Sequence, residues 1–170
     1  NKPIIWSIGG SDCSGGAGIA ADIKTGHAIG VEICHLITAN TVQNSKYLLS
    51  VNSVAMPILA QQAQALSDDK KPDAIKIGLL VSKEQVRWLV NLLKQLRLAN
   101  PTLAVVFDPV GHASVGGSLS QLPAEELLPL MPLIDVLTPN LDETKTLQTI
   151  ALSSNQTPSS TSTTAAISSG

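Results

Sequence analysis

The sequence predicts a doubly wound α/β domain, a mostly parallel sheet with helices on both faces. Three observations carry that prediction. Short, nearly continuous apolar runs alternate with stretches of helical periodicity, the pattern of parallel strands covered on both sides. A glycine-rich elbow joins the first run to the first helix, with five glycines in the ten residues 9–18. Four polar or glycine-rich segments, residues 10–18, 40–44, 108–117 and 138–143, each follow an apolar run. Ligands in such folds sit beyond the carboxyl ends of the strands, so the four segments are expected to meet at one crevice.

The elements follow in order. Pro3-Ile4-Ile5-Trp6-Ser7-Ile8 reads as a buried strand, and Ile19 to Thr25 as the first turns of a helix. Residues 31–38 form a second strand whose apolar positions cluster rather than alternate. Residues 47–54 suit a short edge strand or extended flap. Pro57 opens a helix through about Leu66, proline being acceptable in a first turn. Residues 74–80 form the next strand. Ser82 caps the following helix, with Gln85 placed for a capping box. Val86, Leu89, Val90 and Leu93 share one face of that helix. Residues 103–107 and 134–137 are two further strands. The domain is expected to occupy residues 1–150, followed by a Ser/Thr-rich tail over 151–170, a composition too polar to bury a core.

Composition narrows the class. The 170 residues are 44% hydrophobic, only 2% aromatic, and carry a net charge of −2. That gives no electrostatic case for nucleic acid or an anionic membrane, and no stacking platform for single strands. No apolar run approaches membrane-spanning length. Two cysteines, Cys13 and Cys34, make no disulfide framework and point to a reducing, cytoplasmic setting. His27, His35 and His112 lack ligand spacing, which argues against zinc.

Two familiar elbows fail on detail. A P-loop ends in Gly-Lys-Ser/Thr, whereas Gly18 is followed by Ile19. A Rossmann pattern can be forced through Gly16, Gly18 and Ala21 with Glu32 as the ribose acid, but about seven residues separate it from the strand, too many for the tight turn.

The string Gly-Ser-Asp-x-Ser-Gly-Gly-Ala-Gly-Ile-x-Ala-Asp, residues 10–22, resembles the N-terminal signature of the hydroxymethylpyrimidine/phosphomethylpyrimidine kinases of thiamine biosynthesis, members of the ribokinase-like superfamily. Thr38-Ala39-Asn40-Thr41-Val42-Gln43-Asn44, Ile75-Lys76-Ile77-Gly78-Leu79-Leu80, Phe107-Asp108-Pro109-Val110 and Leu137-Thr138-Pro139-Asn140-Leu141-Asp142-Glu143 follow in the family's order. The resemblance runs from about Ile4 to Thr146. It implies ATP-dependent phosphorylation of 4-amino-5-hydroxymethyl-2-methylpyrimidine and of its monophosphate, with magnesium (Mg2+). Its partners would be a small pyrimidine and ATP. Many relatives are dimers, so homodimerisation stays open. A pyridoxal or pyridoxine kinase, or an inactive pyrimidine-binding fragment, are the alternatives.

By the same resemblance Gly10, Ala17, Asp22, Gln43, Leu79 and Val110 line the substrate pocket. A Gln side chain has the donor and acceptor inventory to read an aminopyrimidine edge, although ordinary turn chemistry also explains Gln43. Asp108, Asn140 and Glu143 would lie on the phosphate side, with Glu143 and Asp108 toward the metal. Magnesium keeps several waters and takes few protein carboxylates. Asn140 and Glu143 equally fit a helix cap with a capping-box acid. Lys76 inside an apolar strand is expected either beside an anionic site or paired with an acid such as Asp73 or Asp108, since lysine is seldom buried alone. Two departures stand out. Cys13 occupies a place where the family often has proline, predicting a looser elbow. Ser114-Val115-Gly116 stands where many relatives carry Lys-Ser-Gly. The family's C-terminal Gly-Thr-Gly-Cys or Gly-x-Gly-Asp motif, which supplies an anion hole and the proposed base, does not occur here. The chain therefore reads as the N-terminal part of such a kinase, lacking its C-terminal third. It holds no catalytic residue of its own by this reading, and the base and anion hole are expected beyond Gly170.

Overall fold

The computed structural model describes residues 2–111 and 116–154. Its elements run β1 (Ile4–Asp12), α1 (Gly18–Ile29), β2 (Glu32–Gln43), β3 (Leu48–Ser53), α2 (Met56–Asp69), β4 (Ala74–Ile77), α3 (Lys83–Ala99), β5 (Ala104–Phe107), a 3-10 segment (Ala124–Leu133), β6 (Val136–Leu137) and α4 (Leu141–Ser154). The six strands form one sheet in the order β3-β2-β1-β4-β5-β6. All neighbours pair in parallel except the β2–β3 hairpin. The order reverses direction between β1 and β4, the switch point where such sheets bind ligands.

Alternation along the strands separates two faces. Trp6, Ile8, Leu36, Ile75, Ile77, Val105 and Phe107 point into the main core. They meet Leu59 and Ala63 of α2, Val86, Leu89 and Leu93 of α3, and Leu130 of the 3-10 segment. Ser7 and Lys76 face the other way, where both reach Asp22 of α1. Helices therefore lie on both faces, as the alternation of elements predicts. Among the described residues no helix is long and apolar enough to cross a membrane.

The strands overrun their apolar stretches. β1 continues four residues past Ile8, through Gly9 to Asp12, because Gly10, Ser11 and Asp12 pair with Ala39, Asn40 and Thr41 after a register shift. β2 extends to Gln43 because Ala39 to Gln43 pair with β3. Residues 40–43 are thus strand rather than loop. The turn proper begins at Asn44, whose Oδ1 accepts from the N–H of Lys46 and Tyr47 at 2.8 and 3.0 Å. At the other end, α4 carries helix to Ser154, past the expected domain end at 150. The remainder of the Ser/Thr-rich tail, from residue 155 to Gly170, lies outside the described residues, as do positions 112–115. The expectation of a base and anion hole beyond Gly170 falls outside them as well.

Gln85 shows how the scaffold is pinned beneath the crevice. Ser82 Oγ accepts from Gln85 N at 3.2 Å, the expected cap. The Gln85 side chain, however, is fully buried and does not reach back to Ser82. Its Oε1 accepts from Val81 N at 2.9 Å, and its Nε2 donates to Thr38 O at 2.8 Å and to Ser53 Oγ at 3.2 Å. One amide thus ties the α3 entry to both strands of the hairpin. Gln85→Leu leaves the Val81 N–H without an acceptor, and we expect a loss of about 2 kcal/mol in urea unfolding. A loss below about half a kcal/mol would mean that water or a shifted backbone replaces the amide.

Candidate functional site

β1 ends at the elbow, and the elbow is organised by Asp12, an acid outside the expected site residues. Asp12 Oδ1 accepts from the N–H and the hydroxyl of Ser14, both at 2.8 Å. Its Oδ2 accepts from Gly16 N at 3.0 Å and Ala17 N at 2.9 Å. The elbow's exposed N–H groups are therefore taken by a carboxylate of the chain itself, at the N-terminus of α1, where negative charge is favourable. Burial pushes the Asp12 carboxyl up, but the hydrogen bonds from Ser14, Gly16 and Ala17 together hold it below the usual carboxylate range. An Asp followed by Cys-Ser-Gly-Gly at a strand end is the local signal that could have revealed this turn.

The elbow is tied to the hairpin. Cys13 Sγ donates to Gln43 O at 3.0 Å, and Thr41 Oγ1 donates to Ser11 O at 2.8 Å. Cys13 therefore anchors the elbow instead of loosening it, and it places Gln43 beside residues 11–17. Gly10 packs on Leu79: a Cβ at Gly10 would lie 2.8 Å from Leu79 Cδ2. Leu79 is held in turn through its carbonyl, which accepts from Thr38 Oγ1 at 2.6 Å.

On the α1 face, Lys76 Nζ lies 3.1 Å from Asp22 Oδ2 and 4.0 Å from Asp108 Oδ2. Ser7 donates its hydroxyl to the same Asp22 oxygen. Asp73, one of the two partners expected for Lys76, instead accepts from Ile4 N at 2.8 Å. Burial raises the Asp108 carboxyl above its ordinary range; Lys76 opposes that, while the charges of Glu143 and Asp22 add to it.

The capping box at α4 forms in full. Asn140 Oδ1 accepts from Asp142 N at 3.0 Å and Glu143 N at 2.9 Å, and Glu143 Oε2 accepts from Asn140 N at 2.8 Å. The Asn140 carbonyl oxygen is thereby fully used, leaving its NH2 donors for a ligand, whereas Glu143 keeps Oε1. Val110, Asn140 and Glu143 share a cavity of about 380 Å³ with apolar walls from Leu80, Leu122 and Leu127. Gly10, Ala17, Asp22, Gln43, Leu79 and Asp108 do not line it. The expected residues thus fall into an elbow-and-hairpin group, an α1–β4–β5 charge cluster, and a cavity group, all at the carboxyl ends of the strands.

Comparison with known proteins is consistent with this geometry. The profile of the phosphomethylpyrimidine kinase family matches residues 12–167. The hydroxymethylpyrimidine/phosphomethylpyrimidine kinase of Mycobacterium tuberculosis is 38% identical over 147 residues, covering 85% of this chain and 52% of the relative. The Arabidopsis thaliana thiamine biosynthetic bifunctional enzyme TH1 is 35% identical over 150 residues, covering 85% of this chain and 27% of that enzyme. The crystal structure of phosphomethylpyrimidine kinase from Clostridium difficile superposes with a TM-score of 0.75 at 37% identity, over 86% of this chain and 64% of that one. Pyridoxal kinase of Staphylococcus aureus in complex with pyridoxal gives 0.74 at 28% identity, over 88% and 55%. The chain spans about half the length of the bacterial curated relatives it matches. With the profile covering most of its length, the chain belongs to the phosphomethylpyrimidine kinase family.

Proposed function

We propose that this chain forms the pyrimidine-binding and metal-facing part of a kinase that transfers a phosphoryl group from ATP to 4-amino-5-hydroxymethyl-2-methylpyrimidine and to its monophosphate. The observation that carries the reading is the junction at the sheet's switch point. There the elbow, Gln43 and the Gly10–Leu79 contact stand next to a cluster in which one lysine joins Asp22 to Asp108. Gln43 offers both a donor and an acceptor to an aminopyrimidine edge. Asp22 Oδ1, which carries no hydrogen bond among the described residues, accepts from a ring amino group. Leu79 supplies an apolar wall, with the backbone at Gly10 and Ala17 closing the floor, whereas Val110 lines the cavity that holds Asn140 and Glu143.

The phosphate side falls to Asp108, Asn140 and Glu143. Among the described residues no group of three or more His, Cys, Asp or Glu is placed to hold a metal ion. Carboxylate oxygens of Asp108 and Glu143 fit magnesium, which takes one or two carboxylates and completes its shell with water and substrate phosphates. Bound there, magnesium would neutralise charge on the transferred phosphoryl group. The Asn140 NH2 group would donate to a phosphate oxygen or a metal-bound water.

Gln43→Ala tests the substrate side. Calorimetric titration of the variant is expected to show about a tenfold weaker affinity for the hydroxymethylpyrimidine, the loss of its side-chain hydrogen bonds, and less than about a twofold change for magnesium-ATP. Equal losses for both ligands would count against the role. Tighter binding of pyridoxal than of the pyrimidine by the unmodified chain would replace this substrate with the vitamin of the pyridoxal kinases.

A further inference from the structure

Lys76 occupies a place that is costly for a cation. It sits in β4, an inner strand between β1 and β5, flanked in sequence by the fully buried Ile75 and Ile77. Its side chain is only 28% exposed. Room for the ammonium is left by Gly78, where a Cβ would lie 3.4 Å from Nζ. A lysine so placed needs compensation, and two acids provide it unequally: Asp22 at 3.1 Å and Asp108 at 4.0 Å. Those two acids stand on different elements, α1 and the end of β5. Under the function proposed above, they also serve different ligands, the pyrimidine and the metal-bound phosphates.

From this geometry we infer that Lys76 is a positioning residue that couples the two halves of the site. The ammonium is hydrogen-bonded to Asp22 and stands beyond hydrogen-bond distance of Asp108, so its hold on Asp108 is the weaker of the two. Asp108 and Glu143 would hold a divalent cation, and Lys76 would then give up its weaker contact with Asp108 and keep the one with Asp22. Lys76 and the Ser7 hydroxyl then hold Asp22 Oδ2 together, which fixes the carboxylate and leaves Oδ1 as the acceptor for the ring amino group. Metal therefore tightens pyrimidine binding, and by linkage the pyrimidine tightens metal binding by the same factor. A merely structural ion pair would hold α1 to β4 with no such dependence. The inference rests on the proposed pyrimidine and metal roles.

The test is a set of calorimetric titrations of the full chain with 4-amino-5-hydroxymethyl-2-methylpyrimidine, in saturating magnesium chloride and in EDTA. The unmodified chain is expected to bind about fivefold or more tightly with magnesium. Lys76→Met should shrink that ratio to less than about twofold, while Lys76→Arg keeps most of it. Far-UV circular dichroism and melting establish that each variant is folded. An equal magnesium effect in Lys76→Met, or none in the unmodified chain, overturns the coupling. A second measurement does not depend on the pyrimidine: direct Mn2+ titration followed by electron paramagnetic resonance. Lys76→Met, relieved of a competing charge beside Asp108, is expected to bind Mn2+ about threefold or more tightly. Unchanged Mn2+ affinity overturns the inference even where the pyrimidine binds. Absence of pyrimidine binding in every condition, with Mn2+ binding altered as expected, instead overturns the substrate reading.

Discussion

Asp12→Ala is expected to cost about 3 kcal/mol in urea unfolding and to abolish measurable pyrimidine binding, although Asp12 belongs to none of the expected ligand contacts. The carboxylate is buried and accepts four hydrogen bonds from Ser14, Gly16 and Ala17. Hydrogen bonds to a charged group are each worth more than neutral ones, and their N–H donors are left without acceptors when it goes. The helix has no substitute, because its N-cap, Ala17, has no side-chain hydrogen bond. Asp12→Asn should be nearly as damaging. Asn can present one oxygen to Ser14, but its amide nitrogen would then face the Gly16 and Ala17 N–H groups.

The charge gives this prediction a pH signature. The folded carboxyl is held below its ordinary value, so the unfolded state binds the proton more readily and stability rises with pH across that interval. The contribution is complete above the unfolded value of about 3.9 and is lost as pH falls through the lower folded value. The stability gap between the unmodified chain and Asp12→Asn should therefore be constant near neutrality and narrow as pH falls below about 4. A gap that does not narrow in acid would show that the oxygen's shape, rather than its charge, holds the elbow.

The architecture was legible because it depends on side-chain pattern. Apolar runs around Trp6, Leu36, Ile75 and Val105 announce strands, and all four are buried in the core. What stayed hidden depends on backbone pairing and on contacts between distant segments. The pattern stops at Ile8 and Thr38, yet hydrogen bonding continues through glycines and polar residues that no periodicity marks. Lys76 was legible as a cation in need of an acid, and Asp108 was one of the acids expected. Its nearer partner, Asp22, is 54 residues away on a helix that only the closed fold brings over β4. The Asn140–Glu143 box could be read from four residues because capping is local. Gln85 was half legible for the same reason: its backbone makes the local cap, while its side chain spans to Thr38 and Ser53.

Gly18→Ala should be the most damaging single-methyl change in the elbow. Gly18 has φ +57°, and it forms an isolated antiparallel bridge with Ser11. A Cβ built there would stand 2.2 Å from the carbonyl oxygen of Gly10. Two costs add. Left-handed backbone costs an alanine about 1 kcal/mol, and the clash is with backbone, which cannot rotate aside as a long side chain would. Gly30 separates the two terms. It closes α1 with φ +79° and has nothing within 4 Å of a built Cβ. Gly30→Ala should therefore register the conformational term alone, about 1 kcal/mol. Gly18→Ala should exceed about 3 kcal/mol in the same urea titration and lose pyrimidine affinity with it. The affinity falls because relief of the clash must move Gly10, and Gly10 is the residue against which Leu79 packs. Gly30→Ala lies at the far end of α1 and should bind the pyrimidine normally. If the two variants prove equally stable, the Gly10 carbonyl gives way without cost, and the elbow is looser than its hydrogen bonds to Asp12 imply.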